Sequence, residues 1–119
     1  MAQVSAKLRN LTEPDGTKGF VHWCPACKEA HVITSRWGFN GNVHVPTFSP
    51  SVKITGKQIR VDERGDWTGE WVLGPDGKAL DLCCHYFITD GQIQFCSDCT
   101  HELKGQTVPL PDLPAWLRD

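Results

Sequence analysis

Cys24-Pro25-Ala26-Cys27 carries the most chemistry of any short stretch in the chain. Two cysteines three apart on a tight turn between strands can put both thiolates on one ion. Zinc favours four such ligands in a tetrahedron, with cysteine and histidine common among them. Lys28 follows, at the position where many zinc knuckles have glycine. One knuckle supplies two ligands, so two more must come from elsewhere. The stretch from Leu82 to His101 holds the other four cysteines and two of the five histidines. Three pairs compete there: Cys84 with Cys99, Cys96 with Cys99, and His85 with Cys96. Cys84 with Cys99 is preferred, because thiolates on a core face would close the site. His31, four residues after Cys27, is a further candidate ligand. His22 and His44 read as ordinary strand or surface residues.

The same stretch holds groups for catalysis. Ser97-Asp98-Cys99-Thr100-His101 puts a carboxylate, a thiol and an imidazole within a few positions. His85 or His101 could serve as a base and Asp98 could orient an imidazole. Cys99 as nucleophile would need such a base or a nearby positive charge. A metal-bound water is another route. Against these stands a plainer reading, in which Asp98 caps a turn and His101 supports or binds the metal. Pro46-Thr47-Phe48-Ser49-Pro50-Ser51 reads as an extended covering loop whose hydroxyls satisfy their own backbone. Its two serines could instead hold a peptide backbone or a carboxylate. Of the five tryptophans, most are expected in the core, with Trp67 and Trp71 beside a polar loop.

The elements that must position these groups are short strands. Asp90-Gly91 lies between two runs of aromatic and β-branched residues, the signal of a two-residue hairpin. That turn pairs Thr89 with Gln92, Ile88 with Ile93, Phe87 with Gln94, Tyr86 with Phe95 and His85 with Cys96. Leu82, Cys84, Tyr86, Ile88, Ile93, Phe95 and Cys99 then share a core face. Cys83, His85, Phe87, Thr89, Gln92, Gln94, Cys96 and Asp98 share a polar one. Further strands are expected within 4–11, 19–23, 30–34, 52–55, 58–61, 70–73 and 79–82. Turns fall at Glu13-Pro14-Asp15-Gly16, Phe39-Asn40-Gly41-Asn42 and Gly74-Pro75-Asp76-Gly77. Two prolines at 46 and 50 argue against a regular central strand there. Helical turns are confined to 102–105 and 115–118. The fold class is all-β or β-rich α+β, built of short antiparallel hairpins with a zinc knuckle, as a single domain over 1–119.

Net charge of −2 gives no electrostatic footprint for nucleic acid. No apolar run reaches membrane-spanning length, and the N-terminus lacks an apolar signal core. Six cysteines in such a chain point to metal ligands or free thiols in a reducing cytoplasm.

Trp23-Cys24-Pro25-x-Cys27 with His31, the 39–42 turn, the 46–51 segment, Cys84-His85 and Asp98-Cys99-Thr100-His101-Glu102-Leu103-x-Gly105-Gln106-Thr107-Val108 together resemble a small phage and prophage family. Some of its members carry the label ammonia monooxygenase, which does not suit this length. The resemblance spans nearly the whole chain. It implies a zinc-binding phage gene product in the host cytoplasm, with relatives in bacterial ubiquitin-like conjugation operons that act as peptidases. In that family the position of Cys99 is also serine, which shifts it from ligand toward nucleophile. Two functions follow as expectations. One is a small zinc-containing peptidase acting on a protein or conjugate tail, with His85, Asp98 and His101 as its catalytic groups and Cys24, Cys27, Cys84 and Cys99 on the metal. The other is a non-catalytic zinc-stabilised module that engages or inhibits a host protein.

Overall fold

The structure, a computed structural model, describes residues 2–119. Three strands, β1 (Arg9–Thr12), β2 (Lys18–Cys24) and β3 (Glu29–Thr34), form one antiparallel sheet in the order β1-β2-β3. A second sheet is built from β4 (Gly38–Phe39), β5 (Phe48–Lys57), β8 (Asp81–Thr89), β9 (Gln92–Phe95) and β10 (Thr107–Pro109). Its order is β10-β9-β8-β5-β4, so β8 and β5 lie inside it. The strands β6 (Ile59–Val61) and β7 (Trp67–Trp71) make a separate two-stranded ribbon. Among the described residues the one helical element is a 3-10 turn over Ala115–Leu117. No helix is long and apolar enough to cross a membrane.

The Asp90-Gly91 hairpin forms with the expected register, Tyr86↔Phe95 through Thr89↔Gln92. Asp90 at φ 50° and Gly91 at φ 75° give the left-handed pair that matches strand twist. The face assignment also holds. Cys84, Tyr86, Ile88, Ile93, Phe95 and Cys99 are buried, and Phe87, Thr89, Gln92, Gln94 and Asp98 are exposed. The buried face packs against Leu8, Cys24 and Ile33 from the first sheet and its approach, giving one core between the two sheets.

Three expectations need correction. The 46–51 segment is not wholly a loop, because Phe48 to Ser51 opens the inner strand β5. Phe48 pairs with Ile88 and Val52 with Tyr86, so Ser49, Pro50 and Ser51 stand opposite Phe87 alone. A bulge of this kind accommodates a proline that cannot donate to the ladder. Residues 52–55 and 58–61, which alternate like two strands around Gly56-Lys57, do not pair with each other but enter different sheets, β5 pairing with β8 and β6 with β7. The tryptophans are mostly not core: Trp67, Trp71 and Trp116 are exposed, and Trp23 and Trp37 are half-buried.

Candidate active site

Strand β8 has a different task on each face. Cys84 and Tyr86 point into the core between the sheets, while His85 points out of it. Both neighbours of β8 add groups to the outer side. Lys53 of β5 is paired with His85, and Ser51 is two residues further along the same strand. On the other side Cys96 donates its backbone N–H to the His85 carbonyl at 2.8 Å, and Asp98 follows on the same turn.

The side chains meet in a line. The Ser51 Oγ lies 2.9 Å from His85 Nε2. His85 Nδ1 lies 3.2 Å from each oxygen of the Asp98 carboxylate. Nδ1 faces only acceptors and must carry the ring proton, so Nε2 is the nitrogen that accepts from the Ser51 hydroxyl. The two buried thiol contacts of Cys99 fix the ring's backbone from beneath. Cys99 Sγ donates to the His85 carbonyl at 3.1 Å and receives its N–H at 3.3 Å. Asp98 is half-exposed, and desolvation, the largest single influence on it, raises its pKa but is outweighed by the others together. The hydrogen bond and charge of His85, with Lys53 at 3.7 Å, hold the carboxyl below its usual range. A hydroxyl, a correctly oriented imidazole and a carboxylate in this sequence can activate the hydroxyl as a nucleophile.

An apolar groove of about 710 Å³ is lined by Leu11, Phe20, Trp37, Phe39, Val43 and Phe48 among others. Trp37 joins it to the strand, because its indole Nε1 donates to the Ser51 carbonyl at 3.3 Å.

The core side of β8 belongs to a second cluster. The knuckle closes with Lys28 N–H on the Cys24 carbonyl at 2.9 Å, and the Cys27 N–H points at Cys24 Sγ at 3.4 Å. Lys28 sits at φ 57°, the left-handed conformation for which other knuckles use glycine. Cys84 Sγ is 4.0 Å from Cys24 Sγ. The edge of a tetrahedron with zinc–sulfur bonds of about 2.3 Å is about 3.8 Å. Cys24, Cys27 and a ring nitrogen of His31 also lie within 4.8 Å of one another. Hydrogen bonds from Cys27 and Cys84 push the Cys24 thiol down, while those same bonds to Cys24 push the Cys27 and Cys84 thiols up.

Three histidines border this cluster. His31 Nδ1 meets the Tyr86 hydroxyl at 3.1 Å, and His22 Nε2 meets the same hydroxyl at 2.7 Å. If Tyr86 donates to His22 and accepts from His31 Nδ1–H, the buried His31 Nε2 keeps a free lone pair. That atom has no hydrogen-bond partner among the described residues. His101 Nδ1 accepts the Leu103 N–H at 3.2 Å, which puts the ring proton on Nε2, an atom that is likewise buried without a hydrogen-bond partner among the described residues. Cys24, Cys27, Cys84 and His31 thus make a donor set that could hold a metal ion.

The site residues expected from sequence are divided by this arrangement. Cys24, Cys27 and Cys84 come together, whereas Cys99 sits under the His85 backbone. His85 and Asp98 come together, whereas His101 packs edge-on against Phe95 at 4.6 Å between ring centres. His22 lies in strand β2, one of the two places expected for it, and is fully buried. The residue that sequence reasoning passed over is Ser51. The composition of 46–51 was its only signal.

Fold and site together define a small β-sheet protein with the hydroxyl–imidazole–carboxylate line of a serine hydrolase. The family model described as "Bacterial ubiquitination-like system serine protease (BubE)" matches residues 2–96, and the chain belongs to that family. Ser51 and His85 lie inside the matched region and Asp98 lies two residues beyond it. No curated protein and no solved structure matches the chain.

Proposed function

We propose that the chain is a serine peptidase that cuts a protein or conjugate tail, with Ser51 as nucleophile, His85 as general base and Asp98 as its orienting carboxylate. The observation that carries this reading is the 2.9 Å contact between Ser51 Oγ and His85 Nε2, with Asp98 on the far nitrogen. As Ser51 Oγ attacks the scissile carbonyl, its proton passes to Nε2. Asp98 stabilises the imidazolium that results. The same proton then goes to the leaving amine as the carbon–nitrogen bond breaks, leaving an acyl ester on Ser51. Water, deprotonated by His85, hydrolyses that ester and restores the hydroxyl.

A zinc ion held by Cys24, Cys27, Cys84 and His31 is part of the same proposal. Three thiols near one buried imidazole, whose Nε2 makes no hydrogen bond among the described residues and lies 3.8 Å from Glu29 Oε1, fit its donor preference, and all four ligands are supplied by protein. When bound, the ion supplies cross-linking of β2, β3 and β8 rather than an open coordination position. The residues that move protons lie on the opposite face of β8.

The test is reaction of the purified chain with a fluorophosphonate, read by intact mass and peptide mapping. One adduct on Ser51, absent from Ser51→Ala, is expected. An unreactive Ser51 in folded protein would leave the alternative of a zinc-stabilised binding module.

A further inference from the structure

Cys96 has no part in the mechanism above, yet its thiol stands at the catalytic imidazole. One ligand atom each from His85, Cys96 and Asp98 lies within 4.8 Å of the others. Imidazole, thiol and carboxylate are the three side-chain types that bind zinc. Cys96 is held there by its backbone, its N–H on the His85 carbonyl and its own carbonyl receiving the Cys99 N–H at 3.3 Å. His85 and Cys96 are half-buried and Asp98 is exposed, so an ion can arrive from solvent.

We propose that this trio is a second, inhibitory site for a thiophilic divalent cation such as Zn²⁺, which switches the peptidase off by taking His85 Nδ1. The proposal rests on the Ser51–His85–Asp98 reading and adds its regulation. Nδ1 is the nitrogen aimed at Asp98, in the corner that Cys96 shares. An ion bound there uses the Nδ1 lone pair, the Cys96 thiolate and an Asp98 oxygen. The ring proton must then sit on Nε2, so Nε2 donates toward Ser51 and cannot take its proton. The Cys96 thiol proton leaves to solvent, so one proton is released per ion and no oxidant or reductant is involved. Lys53, 3.7 Å from Asp98 Oδ2 and itself about half-exposed, must swing aside. Its charge makes this site weaker than the thiol-rich one across the strand. The inner site is occupied first and the outer site responds to excess metal.

The test uses zinc-loaded protein and metal-buffered Zn²⁺. Fluorophosphonate labelling of Ser51 and the number of bound ions by native mass spectrometry are followed together, for wild type, Cys96→Ser and Cys96→Ala. The expected result is a second ion in wild type, labelling slowed at least tenfold as it binds, and restoration by chelator. Both Cys96 variants are expected to label at the wild-type rate without added metal, to bind one ion fewer and to resist Zn²⁺. Cd²⁺ in place of Zn²⁺ should add a thiolate charge-transfer absorption that these variants lack. Absence of a second ion, or equal inhibition of the Cys96 variants, overturns the proposal. A protein that binds the second ion through Cys96 but never labels at Ser51 overturns the peptidase reading, and with it the switch, in a way the ion count makes visible.

Discussion

At the scale of single residues, the account depends on which atom faces which. His85 is useful as a base because Asp98 occupies Nδ1 and leaves Nε2 for Ser51. Asp98→Asn would present a donor to the same nitrogen and favour the wrong tautomer. Its expected effect is a loss of about 10⁴-fold in Ser51 labelling or turnover, with the fold retained by circular dichroism. His85→Gln should fall to a similar floor, because members of such a group act as a unit. His101→Ala should leave labelling near wild type, since that ring is turned toward Phe95 and the Leu103 backbone. At Lys28 the left-handed conformation is costly for a side chain with a Cβ. Lys28→Gly should therefore raise stability by up to about 1 kcal/mol in denaturant melts, with no change in labelling.

At the scale of elements, β8 explains both what could be read in advance and what could not. The Asp90-Gly91 turn fixed its pairing with β9, and alternation then sorted Cys84 and Tyr86 inward and His85 and Asp98 outward. Those were local facts, and the structure reproduces them. The other edge of β8 pairs with β5, between 24 and 40 positions earlier, and no turn sets that register. The bulge at Ser49, Pro50 and Ser51 hides it further, since two prolines argue for a loop. Ser51 was consequently visible only as part of an odd segment. Cys99 was grouped with the thiols because it shares the buried face with Cys84. Sharing a face does not put two groups together: the chain turns after Phe95, and the Cys99 thiol ends beneath the His85 backbone. Cys84 instead meets Cys24 across the gap between the sheets, a contact that local patterning cannot supply. Cys84→Ser should release bound metal and lower the melting temperature, because ligand loss here is loss of folding free energy. Cys99→Ser should retain the metal, as the serine hydroxyl can bond the same backbone groups. Metal content of the two purified variants decides the assignment.

At the scale of the whole molecule, two sheets share a core whose polar centre is unusual. His22, His31 and Tyr86 form a buried chain beside the thiol cluster. Burial, reinforced by the nearby His31, pushes His22 down to about 4. Its folded pKa is thus depressed below the usual imidazole value of 6.5. The unfolded chain binds the extra proton between those values, so stability is full above about pH 6.5 and is lost as pH falls toward 4. The shift corresponds to on the order of 3 kcal/mol. Protonation of metal-binding thiolates acts in the same direction, so acid and chelators should destabilise the protein together. His22→Gln keeps a partner for the Tyr86 hydroxyl without the titration. In metal-free protein its melts should change less between pH 7 and pH 4.5 than those of wild type. Equal slopes would show that the acid sensitivity lies elsewhere.

The central claim is that the outer face of β8 activates Ser51. Its most direct test is the second-order rate of fluorophosphonate labelling at Ser51, mapped by peptide mass, in wild type, His85→Gln and Asp98→Asn. The account predicts one adduct, on Ser51, formed orders of magnitude more slowly in both variants while their folds and metal content stay intact. An adduct on another residue, or a Ser51 rate indifferent to His85 and Asp98, would contradict it.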